Sequence, residues 1–361
     1  MGNWVSLKDA CSKGSSSLRQ KDLHNAGRYP VYGAAGVVGF LDNYQYDRDY
    51  VAVIKDGAGV GRVLLCSAYS SVLGTLQPII PNESITLSYL RFLLSGMHLA
   101  DYSSGATIPH IYFKDYGESV VNLPDIEEQK TISCLFERIL QQIKLAEQML
   151  AKADDLIQSR FVEMFVDIQE RTTVSHYVKS FSSGKSLASK ERCINLVLKT
   201  SAVASNTFDE TQVKYLPFDY VPNPDHEIKH GDVIINRKNT VQLVGSTGYV
   251  WQYPKNMYLS DLLWKANLDE TTCNPIFLWQ LLVNRSVHRR ISAMATGANS
   301  SMANITKPNL MQLPVVLVPL ALQYEFAEFV TKVESLKSAT RQQLDRFNTL
   351  YDSLAQRYFA E

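Results

Sequence analysis

Residues 124–165 read PDIEEQKTISCLFERILQQIKLAEQMLAKADDLIQSRFVEMF, with no glycine and no proline after the first position. Apolar residues recur at steps of three and four: Ile132, Phe136, Ile139, Ile143, Ala146, Leu150, Ala153, Ile157 and Phe161. That is a heptad seam, and it predicts a long amphipathic helix made to pair with another helix. Pro124 fits the first turn, where its missing N–H costs little. Asp125, Glu127 and Glu128 put negative charge at the positive end of the helix dipole. At 1.5 Å per residue the rod is about 60 Å long. A seam of that length outside a membrane needs a partner.

Residues 319–360 supply one. They read PLALQYEFAEFVTKVESLKSATRQQLDRFNTLYDSLAQRYFA. The expected seam runs through Phe326, Phe329, Val333, Leu336, Phe347, Leu350, Leu354 and Tyr358, with Thr340 and Gln343 as weaker positions. Each rod follows a proline, carries a glutamine in its first turn (Gln129, Gln323) and ends on Arg160-Phe161 or Arg357-Tyr358. Upstream, Ser104-Gly105-Ala106 followed by Ile111 matches Thr296-Gly297-Ala298 followed by Ile305. The halves also align at their starts, from Val5 and from Val174. The chain therefore reads as a tandem repeat. The boundaries are a globular domain at 1–122, a rod at 123–170, a second domain at 171–318 and a second rod at 319–361.

No apolar run approaches the eighteen or so residues that span a membrane, and the N-terminus lacks the apolar core of a signal peptide. Gly2 and Ser6 fit an N-terminal acylation pattern, although Trp4 and Val5 read as the start of a strand. The 5 cysteines contain no C-x-x-C pair, which fits reduced thiols in a cytoplasm and no metal site. The formal net charge is zero, but it is unevenly spread. Residues 123–170 carry 5 Lys/Arg against 10 Asp/Glu, and residues 171–318 carry 16 against 10. A basic domain beside an acidic rod is compatible with local phosphate binding.

In the first domain, Tyr29-Pro-Val-Tyr-Gly-Ala-Ala-Gly punctuates short strands with glycine turns. Residues 50–54 (YVAVI) read as a buried strand, 63–66 as the next, and 88–97 as a helix. This is a mixed α+β pattern and not an alternating series. Lys55-Asp-Gly-Ala-Gly-Val-Gly-Arg62 has a Rossmann-like look, yet Arg62 stands where the last glycine is needed, and no helix follows. Two readings stand: a plain hairpin, or a loop presenting Lys55 and Arg62 to phosphate. Phe181-Ser-Ser-Gly-Lys-Ser186 fails as a P-loop because Lys179 stands where its first glycine would be.

In the second domain, Gly231-Asp-Val-Ile-Ile-Asn-Arg-Lys-Asn239 is a turn, a buried strand and three polar residues. Residues 240–244 and 248–251 are expected to continue the sheet. Arg and Asn match guanine and adenine edges in the major groove, and Lys serves phosphate or guanine. Arg237, Lys238 and Asn239 are thus either a base-reading loop or a solvated turn. Residues 275–291 read as one helix with Arg285, Arg289 and Arg290 near one face, tracking phosphates or simply solvated; Lys307 is a further candidate DNA contact. Metalloprotease, nucleophile-elbow, amino-methyltransferase and nuclease motifs are missing. His110 and His230 stand alone and read as structural or surface histidines.

The order of these parts is similar to the specificity (S) subunits of type I restriction–modification systems. The resemblance rests on Leu123-Pro-Asp-Ile-Glu-Glu-Gln-Lys-Thr-Ile132, Gln158-Ser-Arg-Phe-Val-Glu-Met-Phe165, the Tyr29 run and the Gly231–Asn239 run. It implies an α+β chain: two mixed α/β target-recognition domains joined by two long antiparallel coiled-coil helices in a pseudo-two-fold internal repeat. Each domain would read one half of a bipartite target in double-stranded DNA. The helices would fix the spacing and dock two methyltransferase (modification) subunits, through which restriction/translocase subunits join. S-adenosylmethionine, ATP and magnesium would belong to those partners, with no catalytic residue or cofactor in this chain. The competing readings are a DNA-binding or phage-defence protein without a methyltransferase partner, and a nuclease with an unrecognised site.

If the paired helices act as a ruler, inserting residues changes the spacer. Four residues add nearly one turn, about 6 Å, and keep the apolar stripe aligned, whereas two throw it to the opposite side. A four-residue insertion near Lys144, matched near Ala339, is expected to lengthen the spacer by about one or two base pairs at ~3.4 Å each. Both half-sites should stay the same. Methylome sequencing reads the result, and an active mutant with its old spacer would refute the ruler.

Overall fold

The computed structural model describes residues 3–24, 26–104, 109–296 and 302–359. Gly2 of the acylation pattern, Ala360 and the Gly-Ala pairs at 105–106 and 297–298 lie outside them. The chain divides into two compact units, residues 1–148 with 340–361, and residues 149–339. Each long helix is therefore shared between units, which differs from the expected division into domains and separate rods.

The first long helix is Ile126–Phe165 and the second is Leu320–Phe359, 40 residues each. The first begins where Asp125 Oδ1 accepts the Glu128 N–H at 2.8 Å. Asp125 is the capping residue, so Pro124 precedes the helix and is not in its first turn. Among the described residues no helix is long and apolar enough to cross a membrane.

In the first unit a four-stranded sheet places Tyr50–Ile54 between Leu76–Pro81 and Val63–Cys66, with Cys11–Lys13 at one edge. Tyr50–Ile54 is buried on both faces, as its unbroken apolar run requires. Val51 and Val53 face the helix Leu87–Gly96 and the long helices, among Tyr89, Phe92, Phe136 and Phe359. Tyr50, Ala52 and Ile54 face a second core with Cys66, Val72 and Leu76. Ile132, Phe136 and Ile139 are buried and Ile143 half-buried. Phe136 meets Tyr351 and Phe359 at ring-centroid distances of 5.2 and 5.1 Å.

The second unit repeats this plan. Its four-stranded sheet orders Val178–Ser182, Leu263–Leu268, Val233–Asn236 and Thr247–Tyr249. A two-stranded ribbon, Trp4–Ser6 with Val120–Asn122 in the first unit, recurs as Arg171–Thr173 with Pro314–Val316. The register sets the alignment of the halves. Leu7 N donates to Ser119 O as Val174 N donates to Leu313 O, so Val174 corresponds to Leu7 and not to Val5. Two local expectations also change. Residues 240–244 form a helical turn, with Val244 N donating to Thr240 O, and not a strand. The single helix expected at 275–291 is two, Pro275–Val283 and Arg285–Ala293, because Asn284 adopts ψ 130 and its side chain caps the second by accepting from Ser286 N.

Within the second unit the helices run antiparallel: Asp154 meets Lys337 while Phe161 meets Phe326, with ring centroids at 5.6 Å. Leu150 is half-buried, and Ala153, Ile157 and Phe161 are buried. The second seam departs from the expected one. Phe326 and Val333 are buried and Phe329 half-buried, but Leu336 is 53% exposed and Leu350 44%. The stripe instead takes Phe326, Val330, Val333, Lys337 and Thr340, then half-buried Leu344, Phe347, Tyr351, Leu354 and Tyr358. These steps alternate strictly between four and three.

Lys337 sits in that stripe at 2% exposure. Its ammonium donates to Asp154 Oδ1 at 2.6 Å and to the buried Glu334 Oε1 at 2.5 Å. A charge at one seam position pins register, because any slip strands it without partners. Lys337→Met is expected to cost about 3–5 kcal/mol by leaving Glu334 buried without its cation, and Lys337→Met with Glu334→Leu to recover most of that. Urea unfolding midpoints measure both; a single variant as stable as the parent would show that the charge pins nothing.

Candidate nucleic-acid interface

The strand Val233–Asn236 runs out of the second unit's sheet into Arg237, Lys238 and Asn239. These residues are held as structure and are not a free turn. Arg237 N donates to Leu262 O at 3.1 Å, and Arg237 O accepts from Ile305 N at 3.0 Å. Lys238 and Asn239 pair antiparallel with Asn304 and Ala303. Gly245, at φ +83, closes the segment through its N–H on Asn236 O at 2.7 Å. A side chain on Gly245 would also meet Ile291, so glycine is needed for both backbone angle and space.

The side chains converge on one indole. The Arg237 guanidinium lies 5.9 Å from the Trp264 ring centroid and the Lys307 ammonium 6.0 Å. Phe181 stacks on Trp264 at 5.4 Å, and Lys307 Nζ donates to Phe181 O at 2.6 Å. Arg237 is half-buried, and its Nε is buried with no hydrogen-bond partner. Asn236 Oδ1, Asn304 Oδ1 and Trp264 Nε1 are likewise buried and unpaired. Cation–π contact holds a guanidinium in place at about 0.5–2 kcal/mol, and a held guanidinium loses less entropy when it grips a base. Trp264 was invisible to sequence reasoning because an indole inside a strand reads as core.

Arg285, Arg289 and Arg290 belong to a different feature. Their helix buries Val287 and Ile291 and leaves all three arginines exposed. Arg285 pairs with Asp155 at 3.7 Å. Arg285 and Arg290 line a groove of about 1020 Å³ with Gln158 and Val162 of the first long helix and Val166 just beyond it.

The first unit carries the same scaffold, bond for bond. Lys55 N donates to Thr75 O at 3.0 Å, Ile111 N donates to Lys55 O at 3.0 Å, and Gly61 N donates to Ile54 O at 2.8 Å. Gly61 has φ +85. Asp56 bridges to His110 as Lys238 does to Asn304, and Ser104 pairs with His110 as Thr296 pairs with Asn304. Lys55 therefore stands where Arg237 stands, and Asp56 where Lys238 stands. Arg62 folds back over Gly59 with Nη2 3.4 Å from Ala34 O. His110 Nδ1 is hydrogen-bonded to Asp56 Oδ1, which fits a structural histidine, with a partner that the sequence does not name. The signal available was the polar residue before each repeated isoleucine, His110 before Ile111 and Asn304 before Ile305.

Comparison with known proteins follows the same lines. Residues 1–154 match the model of the type I restriction modification DNA specificity domain. Over 166 residues the chain is 29% identical to the type I restriction enzyme EcoEI specificity subunit of Escherichia coli, covering 44% of this chain and 28% of that one. The chain thus spans under a third of that relative's length in the alignment. Its fold is similar to the S subunit of a type I restriction–modification system from M. genitalium. That match has a TM-score of 0.63 and 13% identity over 100% of this chain and 97% of the other. A chain from a structure of type I R-M complex assembly and conformational transition matches at TM-score 0.56 and 16% identity, over 99% and 97%.

Arg237→Ala is expected to weaken binding to the matched duplex by about 1–3 kcal/mol and to relax specificity at one position. Titration of matched and singly mismatched duplexes with the assembled complex measures it. Unchanged discrimination would make residues 237–239 a scaffold strand only.

Proposed function

We propose that this chain, which carries a type I restriction–modification DNA specificity domain, is the DNA-reading subunit of such a complex. Each unit reads one half of a bipartite target. The long helices dock two methyltransferase subunits, and restriction/translocase subunits join through them. The observation that carries this is the repeated scaffold. Two units hold the same strand-end backbone by the same hydrogen bonds, yet offer Lys55, Asp56 and His110 in one and Arg237, Lys238 and Asn304 in the other. Backbone bonds position such an edge, and side chains on it discriminate bases, so two different half-sites follow.

The chain is non-catalytic on this reading and works in the cytoplasm. S-adenosylmethionine, ATP and magnesium bind the partners. Phosphate contacts come from Lys55, Arg62 and Lys307, and from whichever of Arg285, Arg289 and Arg290 reach the duplex. The purified chain is expected to show no turnover with DNA and S-adenosylmethionine, or with DNA, ATP and magnesium. Addition of methyltransferase subunits should yield methylation of one bipartite motif. Methylation or cleavage by the chain alone would overturn the proposal.

A further inference from the structure

We infer that Asp56, held by His110, reads a base in the half-site of the first domain, accepting a hydrogen bond from an exocyclic amino group in the major groove. The inference rests on the reading proposed above. It starts from placement: Asp56 occupies the position of Lys238, on a backbone fixed by the Lys55, Ile111 and Gly61 hydrogen bonds. Asp56 and His110 lie 54 residues apart in sequence, and both are about one quarter exposed. That is deep enough to be rigid and open enough to reach a ligand. The imidazole takes Oδ1; among the described residues Oδ2 has no hydrogen-bond partner.

Chemistry then selects the partner. A carboxylate is repelled by phosphate, so a DNA-facing Asp has a favourable contact only with a donor on a base edge. In the major groove the donors are the N4 amino group of cytosine and the N6 amino group of adenine. The cations on either side, Lys55 and Arg62, suit the flanking phosphates. His110 keeps the carboxylate from rotating away, and Tyr112 packs on the imidazole at 4.0 Å between ring centroids. His110 is thus a positioning residue, and Asp56 the one that touches the base. The second unit has a lysine in this place, so its base preference here differs.

The test is made in the full chain assembled with its methyltransferase subunits. Asp56→Asn keeps size and an oxygen for His110 but presents an amide donor where the free acceptor was. The Asn variant is expected to change or relax one base pair of one half-site in methylome sequencing, with the other half-site intact. Binding to the original duplex should fall about ten- to a hundredfold. Asp56→Ala should relax the same base pair, and its melting temperature shows whether the fold survives. An Asn variant with its motif and its discrimination unchanged makes the Asp56–His110 pair a structural clamp and overturns the inference alone. An equal loss at both half-sites overturns it as well, because that marks general damage. A parent chain that supports no bipartite motif overturns the function proposed above.

Discussion

Two buried glutamines hold this architecture together. Gln129 and Gln323 have no exposed surface, and each satisfies main-chain groups from two directions. Gln129 Oε1 accepts from Thr86 N at 2.8 Å, while its Nε2 donates to Ser84 O and Pro124 O. Gln323 Oε1 accepts from Asn274 N at 2.9 Å, while its Nε2 donates to Thr272 O and Val318 O. Thr86 and Asn274 are the capping residues of the helices Leu87–Gly96 and Pro275–Val283. One planar amide thus ties the start of a domain helix to the start of a long helix. Removing it would leave three main-chain groups without that partner, at about 1–3 kcal/mol for each one shielded from water. The amide plane also fixes an angle that apolar packing alone leaves loose.

On the function proposed above that rigidity matters, because reading a base is a problem of placement. A base contact gains its 1–3 kcal/mol only when donor and acceptor meet within a few tenths of an ångström. The candidate edge is built on strands and backbone bonds, with glycines at φ +85 and +83 where the chain must turn. Side chains at positions 55, 56, 237 and 238 can then differ between units without disturbing the scaffold, since the bonds that hold them are main-chain bonds.

The elements most legible from sequence were those with a period. Both long helices followed from the seam, and the first seam from Ile132 to Phe161 lies on the buried or half-buried face as read. The second seam differs because apolar content and spacing point to different residues there: Leu336 and Leu350 are the more apolar, but the strict four-three rhythm runs through Lys337 and Tyr351. A lysine enters such a seam only with carboxylates beside it, and Asp154 lies far away in sequence. The same limit hid the site. Asp56–His110 and Arg237–Trp264–Lys307 are contacts between distant segments, which periodicity does not report. The break at Asn284 and the turn at Thr240 depend on side-chain caps and local bonds that compete with propensity.

Charge ties these observations together. A chain of zero net charge has no general pull on a polyanion, so on the function proposed above its hold on DNA would come from local groups and from its partners. In the second unit Arg237 and Lys307 are both fixed on Trp264, and on the function proposed above they would supply that hold. The first unit adds the Asp56 carboxylate, which on the inference above would lower affinity for any duplex that lacks a matching donor. Such a group serves discrimination by penalising wrong partners. A subunit that relied on bulk positive charge would bind most of the genome; one that sets a carboxylate among a few fixed cations trades that hold for choice.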